Sequence, residues 1–492
     1  MTSRRWMALL APVMLAACNG VAAAEPPSSP RPPNVVLILA DDLGYGDICA
    51  YGCPLGGKTP NIDALAAGGI RFTQAYVTAA VCGPSRAGLM TGRYQQRFGF
   101  EYNVSPPERA IRETLGLPLT EKLLPQYLKE RGYATGMIGK WHLGPGAGYQ
   151  PIDRGFDEYF GSLHSDTVYL DPLEQPGVHF IDAAHERPGP HRDPLNPVLR
   201  GREPVAEPEY LTDAFAREAV AFIERHQDRP FFLYVAHHAP HTPLQVPDRY
   251  YDRFPEINDA GTRIYAAMVS AIDDGVGKID DALGRAGVRE KTLVLFLSDN
   301  GCATYTGACS NGPLLGGKLT PFEGGNRVPF IASWPGTIAP GRMVDAPIST
   351  LDLLPTALEL AGAERPKDRE LDGGSLVALL RGQGPAPERH AFFWNLGHHW
   401  AVRRGDWKLV QLLGRKPLLY DLSADPGEDR DEAKHQPAVV KQLERLHDKW
   451  QRGKVPPLWP TQELLHVPLQ DIFDRKPMTP TKEGPGAIEV TT

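Results

Sequence analysis

Predominantly apolar runs of strand length recur along the chain. They cover residues 34–40, 230–236 and 292–297. Because both alternating sets of side chains in each run are apolar, each strand is predicted to be covered on both faces. That pattern is typical of a buried, mostly parallel sheet.

Helical patterns lie between these runs, near residues 61–67, 119–131, 211–226 and 262–283. Strands that alternate with helices predict an α/β fold, in which a large, mostly parallel or mixed sheet is sandwiched by helices. Residues 171–209 are rich in Pro, His and charged side chains and are predicted to form a long surface excursion.

The pattern changes after about residue 385. Short alternating segments at 390–395, 399–403, 407–412 and 418–422 predict an antiparallel sheet, and a helical pattern follows at 437–451. The sequence therefore predicts a main domain over residues 34–384 and a small C-terminal subdomain with a tail over residues 385–492.

The first residues have the pattern of an export signal. Two arginines precede an apolar run at 6–17, which is too short to span a bilayer. The run ends at Cys18 in a sequence that resembles the lipobox of bacterial lipoproteins. Residues 1–18 are thus predicted to be a lipoprotein signal peptide and residues 19–33 a tether. The protein is expected in the bacterial periplasm or outer membrane, touching the membrane only through a lipid anchor. Cleavage after Ala24, giving a soluble periplasmic or secreted protein, is the alternative.

Composition and charge narrow the possible partners. The 492-residue chain has 52 Lys and Arg residues against 59 Asp and Glu residues, and 42% of its residues are hydrophobic. This composition is typical of a globular protein. No run of Lys and Arg exceeds two residues, so no nucleic-acid partner is predicted. The oligomeric state is not indicated by the sequence.

Cysteine use fits an oxidising compartment. Of the six cysteines, Cys18 belongs to the signal segment and Cys82 to a motif described below. The four that are left allow three pairings. The short loops Cys49–Cys53 and Cys302–Cys309 are the most economical pairing, and four free buried thiols are the alternative.

Polar pairs follow two of the strongest predicted strands. Asp41 and Asp42 follow the first strand, and Asp299 and Asn300 follow the last. In open α/β sheets, ligands bind beyond the carboxyl ends of the strands. Three carboxylates and one amide oxygen there would suit calcium, with magnesium as the second choice. The alternative is that these side chains only cap the turns that follow.

Cys82 opens the sequence Cys-Gly-Pro-Ser-Arg-Ala-Gly-Leu-Met-Thr-Gly-Arg. Taken alone, this cysteine is either a thiolate activated by a helix N-terminus and Arg86 or a buried structural residue. The whole string resembles, without departure, the sulfatase signature C-x-P-S-R-x-x-x-x-T-G-R. In that family the cysteine is oxidised to Cα-formylglycine by a maturation enzyme.

The resemblance to the sulfatase family extends over nearly all of residues 33–430. It includes the segments DDLGYGD, GKWHLG, SDNG and LYDL, the last followed by DPGE. It implies an alkaline phosphatase-like fold and a catalytic domain at 34–384. The implied metal ligands are Asp41, Asp42, Cys82, Asp299 and Asn300. The implied catalytic residues are Cys82, Arg86, Lys140, His142, His241 and Lys318.

These residue types suit a sulfate ester, which is negative and develops more charge on its leaving oxygen. Lys140 and His142 would share one face if their segment is extended. The family mechanism implies that a hydrated formylglycine, activated by calcium and Asp299, attacks sulfur. His241 or Lys318 would then protonate the leaving oxygen, and His142 would accept a proton as sulfate is expelled.

Zinc binding by the histidines near Pro240 is an alternative that the sequence disfavours. Two prolines in this segment exclude the regular helix that would stack a pair of ligands at positions i and i+4. The histidines concerned are His237, His238 and His241.

Three functions remain compatible with the sequence. The favoured one is a sulfuric ester hydrolase acting on a sulfated small molecule or glycan, with sulfated carbohydrates as the expected natural class and aryl sulfates as model substrates. The second has the same fold and nucleophile but cleaves phosphonate or phosphate esters. The third is a non-catalytic lipoprotein that binds sulfated glycans. Candidates for lining the pocket are His164, Tyr169, His398, His399 and Trp400.

Overall fold

The computed structural model describes Thr2 and residues 31–460, apart from 54–55, 57, 105–112, 172–174 and 183–191. The predicted signal peptide apart from Thr2, most of the predicted tether and the end of the C-terminal tail therefore lie outside the described residues. The elements below belong to one compact unit, Pro32–Thr492. No helix in the described ranges has both the length and the apolar character needed to cross a membrane.

The strands are numbered in chain order. They are β1 (Asn34–Ala40), β2 (Ile70–Tyr76), β3 (Ala134–Lys140), β4 (Glu158–Ser162), β5 (Val178–Ile181), β6 (Leu199–Arg200), β7 (Glu203–Pro204), β8 (Phe231–Ala236), β9 (Leu244–Pro247), β10 (Thr292–Ser298), β11 (Arg327–Ser333), β12 (Arg342–Val344), β13 (Ile348–Ser349), β14 (Phe392–Leu396), β15 (His399–Arg404), β16 (Trp407–Gln411) and β17 (Leu418–Asp421).

The α-helices of the described residues lie between and after these strands. They are Pro60–Ala67, Cys82–Thr91, Leu124–Lys129, Leu211–His226, Asp248–Tyr251, Ala260–Arg285, Glu323–Asn326, Leu353–Leu360, Val377–Leu380 and Pro437–Gln451.

A mixed sheet of 11 strands forms the centre of the fold, in the order β12-β2-β11-β10-β1-β8-β3-β4-β6-β7, with β13 also paired to β2. The central strands β10, β1, β8, β3 and β4 are parallel to one another. The three apolar runs are the central strands β1, β8 and β10, as predicted. The outer strand β11 is antiparallel to β10, so the sheet is mixed.

Helices cover both faces of this sheet, which confirms the predicted sandwich. Alternate residues of β1 enter opposite cores: Val35, Leu37 and Leu39 pack on one side, and Val36, Ile38 and Ala40 on the other. The helix Leu353–Leu360 packs in the first core, while Leu211–His226 and Ala260–Arg285 pack in the second. Apolar burial on both faces is the main stabilising contribution expected for such a layered fold.

Two segments differ from the sequence prediction. The helix expected at 119–131 is confined to Leu124–Lys129, because Pro125 fits only the first turn of a helix. The range 171–209 is not only a surface excursion, since β6 pairs with β4 at the edge of the main sheet and β5 pairs with β9.

The C-terminal sheet consists of β14, β15, β16 and β17 in antiparallel order, as predicted. One face packs through Phe392 and Trp394 against Tyr76 at the end of β2. The other face packs against the helix Pro437–Gln451 through Phe393 and Leu443. Both faces of this sheet are therefore covered, one by the main domain and the other by the C-terminal helix.

The two short cysteine loops are closed by disulfides. Cys49 bonds Cys53, and Cys302 bonds Cys309, with Cα–Cα distances of 4.3 Å and 6.2 Å. The pairing expected from the sequence is confirmed. Cys82 is the free cysteine of the described residues, and it is buried.

Candidate active site

The predicted acidic and amide residues meet at the carboxyl ends of β1 and β10. The two strands are parallel, with Ala40 in register with Ser298. This register places Asp41 and Asp42 beside Asp299 and Asn300, and the backbone N–H of Asp42 donates to Oδ1 of Asp299 over 3.3 Å. All four side chains are buried.

Cys82 is the first residue of the helix Cys82–Thr91. Its Sγ lies 3.2 Å from Oδ1 of Asp41. Burial raises the pKa of the Cys82 thiol well above its usual range, and Asp41 adds to the effect. This direction is opposite to the one that a thiolate activated by a helix N-terminus and Arg86 requires.

Arg86 lies one turn further along this helix and is fully buried. Its guanidinium contacts Oδ2 of Asp299 over 2.8 Å and 2.9 Å, and Nη1 donates to the carbonyl oxygen of Lys140 over 2.8 Å. Its Nη2 also lies 3.4 Å from Oδ2 of Asp41. Arg86 therefore connects the ends of β1, β3 and β10.

Lys140 ends β3, and its ammonium donates to Oδ2 of Asp41. His142 follows with a φ of 61°, so the segment is not extended there as the shared-face argument assumed. Both ring nitrogens of His142 are buried without a hydrogen-bond partner in the described part of the chain. Burial holds the pKa of His142 well below its usual range, and Lys140 and Arg86 lower it further. His142 is therefore a neutral imidazole at neutral pH.

Lys318 and His241 meet on the other side of Asp42. The Lys318 ammonium lies 2.9 Å from Oδ2 of Asp42 and 2.9 Å from Nε2 of His241. Burial lowers the pKa of His241, and Lys318 contributes, so that it falls to about 4. Burial raises the pKa of Asp42, but Lys318 and His241 outweigh that effect and bring it down to about 2.

His241 has a defined tautomer. Its Nδ1 lies 2.5 Å from the carbonyl oxygen of Thr242, so Nδ1 carries the hydrogen and Nε2 is the acceptor for Lys318. The ring is also held through its backbone, because the hydroxyl of Tyr169 donates to the carbonyl oxygen of His241 over 2.8 Å.

The donor set fits a hard cation. Asp41, Asp42, Cys82 and His241 each offer a ligand atom, and these atoms lie within 4.8 Å of one another. Asn300 donates through Nδ2 to Oδ1 of Asp42 over 2.7 Å, whereas its Oδ1 is buried with no partner among the described residues. Burial raises the pKa of Asp299 to about 6, and Asp41 contributes to the rise. Closely spaced carboxylates with an unsatisfied amide oxygen are the environment that calcium or magnesium would complete.

The three histidines considered for zinc do not form one site. His238 contacts Oγ of Ser162 over 2.7 Å, and His237 packs against Phe215 with ring centroids 6.0 Å apart. Within the described ranges, only His241 joins the acidic group.

Two contacts of the site were missed by the sequence analysis. Asn103 accepts a hydrogen bond of 2.8 Å from the backbone N–H of Gly83, at the start of the helix that begins at Cys82. The contact of Tyr169 with His241 is the second. No local motif marks either residue, since both act across large sequence separations.

The candidates for the pocket wall divide into two groups. Tyr169 is buried and bonded to the backbone of His241, whereas Trp400 is partly exposed and stacked on His447 with ring centroids 3.9 Å apart. His398 is exposed, while His164 and His399 are partly exposed, and these histidines remain candidates.

Comparisons with known proteins agree with this geometry. The family model "Sulfatase" matches residues 33–363, and the model "N-sulphoglucosamine sulphohydrolase, C-terminal" matches residues 318–454. The chain is 39% identical over 457 residues to arylsulfatase A of Homo sapiens, covering 85% of each chain.

Solved structures extend the comparison. The crystal structure of Ps i-CgsB in complex with k-i-k-neocarrahexaose has a TM-score of 0.79 and 34% identity, covering 91% of this chain and 100% of that one. The phosphonate monoester hydrolase of Agrobacterium radiobacter has a TM-score of 0.61 and 24% identity, covering 86% and 96%. The second likeness concerns the fold alone. Both agree with the predicted alkaline phosphatase-like fold.

Proposed function

The chain belongs to the sulfatase family and hydrolyses sulfate esters, and on that premise we propose that its nucleophile is a Cα-formylglycine made from Cys82 and held beside a calcium ion. The observation that carries this proposal is the state of Cys82. Its thiol is buried and lies next to the carboxylate of Asp41, and both of these raise its pKa. An unmodified thiol in that environment is a poor nucleophile, since the thiolate is the reactive form.

Formylglycine would supply what the thiol lacks, because a hydrated aldehyde carries two hydroxyl groups on one carbon, one to attack sulfur and one to allow release of sulfate. The modification requires a maturation enzyme as a partner. Cys82 begins a helix and is held at the end of β1, so the residue that replaces the thiol stays directed at the acidic cluster.

Calcium, with magnesium as the second choice, is proposed to bind Asp41, Asp42, Asp299, Asn300 and position 82. When bound, it would activate an oxygen nucleophile and offset the charge of the sulfate. The orphaned Oδ1 of Asn300 and the raised pKa of Asp299 support this assignment.

The cations and histidines divide the remaining work. Arg86 and Lys140 are buried positive charges that would hold the sulfate oxygens. His142 is neutral and has no partner for either ring nitrogen among the described residues, so it can accept a proton when sulfate is released.

Lys318 and His241 form a pair that we place beside the leaving oxygen of the substrate, and Lys318 is its charged member. Burial alone would lower its pKa, but Asp42 outweighs burial and raises the pKa well above its usual range. His241 is neutral and accepts from Lys318. We assign the proton of the departing alcohol to this pair, with Lys318 as the source.

The substrate is proposed to be a sulfated carbohydrate. The relative Ps i-CgsB, 34% identical, was solved in complex with k-i-k-neocarrahexaose, which supports this class. The test is a screen of defined sulfated mono- and oligosaccharides with matured protein, using Cys82→Ala as the inactive control. We expect sulfate release from at least one glycan that Cys82→Ala does not produce. Release from aryl sulfates alone would contradict the carbohydrate assignment.

Phosphonate ester hydrolysis is the second candidate, favoured only by the fold likeness to the phosphonate monoester hydrolase. Paired aryl sulfate and aryl phosphonate substrates with one leaving group decide between the two. We expect a higher kcat/KM for the sulfate. A higher value for the phosphonate would reverse the order.

The protein is proposed to be exported and anchored through a lipid on Cys18, which lies outside the described residues. Cys18→Ser should then move the protein from the membrane fraction to the soluble fraction without changing its specific activity. A wild-type protein that is already soluble and cleaved after Ala24 would show that the anchor is absent.

A further inference from the structure

Lys318 lies on an irregular loop between Gly316 and Phe322 rather than on a helix or a strand. The backbone N–H of Lys318 donates to the carbonyl oxygen of Cys302 over 2.9 Å, and that of Leu319 to Ala80 over 2.7 Å. A long side chain on such a loop needs further support, because its Nζ must stay within reach of Asp42 and His241.

That support comes from the C-terminal sheet and the segment that follows its last strand. The loop leads into Glu323, whose backbone N–H donates to Oε2 of Glu428 over 2.7 Å. The ammonium of Lys408, on β16, lies 2.9 Å from Oε1 of Glu323 and 3.0 Å from Oε1 of Glu428. The side chains of all three are fully inaccessible to solvent. We refer to them as the Glu323–Lys408–Glu428 cluster.

The cluster is bonded to the main domain as well. Oε2 of Glu323 accepts from the hydroxyl of Tyr76 over 2.7 Å and lies 3.5 Å from the guanidinium of Arg327. Arg403 of β15 donates to the same tyrosine hydroxyl. Two carboxylates are thus matched by nearby cations from both the main domain and the C-terminal sheet.

Buried ion pairs of this kind often stabilise a core no more than well-packed apolar residues of similar volume would. What the ionic arrangement adds is one relative placement of the loop and the C-terminal sheet in which its charges are paired. Glu323 lies only five residues after Lys318. Fixing the position of Glu323 therefore also restricts the position of the Lys318 backbone.

We propose that Lys408 and Glu428 are positioning residues for the reaction, which fix Lys318 at Asp42 and His241 by binding Glu323 at the end of its loop. This inference rests on the proposed role of Lys318. It gives the C-terminal sheet a part in turnover, although the catalytic residues proposed above all come from the main domain.

Glu428→Gln is the sharpest test, because the amide is nearly isosteric but carries no charge to pair with Lys408, so the side chain is less firmly held where it accepts from the N–H of Glu323. We expect kcat for an aryl sulfate to fall about tenfold with little change in KM, since misplacing Lys318 weakens an interaction that strengthens in the transition state. In a Lys318→Ala background, the same substitution should change kcat less than about twofold, because the two residues act as one unit.

The control is Asp213→Asn. Asp213 is also a buried carboxylate bound by cations, but its partners are Arg249, Tyr250 and Lys278, none of which lies on the Lys318 loop. This variant should keep the wild-type kcat. Circular dichroism and thermal unfolding of each variant show whether it is folded.

Each outcome decides something. If Lys318→Ala slows turnover but Glu428→Gln does not, the positioning role is wrong and the proposed role of Lys318 stands. If Lys318→Ala retains full activity, both are wrong. If Glu428→Gln is unfolded, the double variant Lys408→Met with Glu428→Gln, which removes one charge of each sign, replaces it in the kcat comparison with and without Lys318→Ala. Failure of that pair to fold would make the cluster structural and overturn the inference. Equal losses with and without Lys318 would also overturn it.

Discussion

Sγ of Cys82 lies 3.2 Å from Oδ1 of Asp41, and the other oxygen of that carboxylate is bonded to Lys140. One side chain at the end of β1 therefore connects the start of a helix with the end of β3. Cys82, the proposed source of the nucleophile, and the buried ammonium of Lys140 are fixed relative to each other by a carboxylate that the proposed calcium would share. This relationship explains why loss of a single carboxylate is expected to disturb the whole site.

The first prediction concerns the metal. Chelation should abolish activity, and calcium or magnesium should restore it. Asp299→Asn should lower calcium content and reduce kcat by on the order of a hundredfold, because it replaces a charged ligand by a neutral amide and so weakens the hold on the cation that keeps the remaining carboxylates from repelling one another. Bound calcium is measured in the purified protein beside kcat. An Asp299→Asn enzyme with unchanged rate and calcium content would show that these residues only cap their turns.

The second prediction concerns stability and pH at Asp47. Burial raises the pKa of its carboxyl to about 7. The folded state therefore holds a proton that the unfolded chain releases near pH 4. The stabilising contribution is complete below that pH and is lost as the pH rises through about 7. Asp47→Asn should remove this dependence, because an amide does not titrate.

Urea unfolding at about pH 5 and about pH 8 tests this expectation. Wild type should lose more stability than Asp47→Asn between the two values. Asp213→Asn is the control and should lose as much stability as wild type. Hydrogen bonds and charges from Tyr250, Arg249 and Lys278 outweigh burial and lower the pKa of Asp213. Its carboxyl therefore titrates below this pH range. Parallel losses for wild type and Asp47→Asn would contradict the assignment.

The third prediction separates the two halves of the reaction. In Cys82→Ser a single hydroxyl can still attack sulfur while the cations stay in place, but the resulting ester has no second hydroxyl to drive release. The variant should release no more than about one equivalent of alcohol and carry a sulfated serine at position 82. Mass spectrometry after incubation with an aryl sulfate detects that group. Sustained turnover by Cys82→Ser would mean that water attacks sulfur directly.

Part of the fold could be predicted from the sequence, because a strand that is buried on both faces has a continuous run of apolar residues. The strands β1, β8 and β10 were found in this way. The strands β2, β3 and β11 were not, since Ile70–Tyr76 contains Arg71 and Gln74, Ala134–Lys140 contains two glycines, and Arg327–Ser333 contains a proline. Their pairing comes from neighbouring strands rather than from their own residues.

The candidate site residues could be proposed from the sequence because they lie in motifs, and the structure brings these motifs together. What the motifs did not indicate was which contacts support the site. Tyr169 binds the backbone of His241, Asn103 binds the start of the helix that begins at Cys82, and Glu428, the last residue of the DPGE segment, binds the backbone of Glu323 at the end of the Lys318 loop. Each is a contact between segments far apart in sequence, which no local pattern predicts.

The central claim is the chemical state of position 82, and peptide mass spectrometry of a fully active preparation tests it most directly. The protein should be produced in a host that has the maturation enzyme, with activity measured on the same sample. We predict that the peptide containing position 82 carries an aldehyde in place of the thiol, in a fraction that follows specific activity across preparations. Full activity with only unmodified cysteine at position 82 would contradict the account.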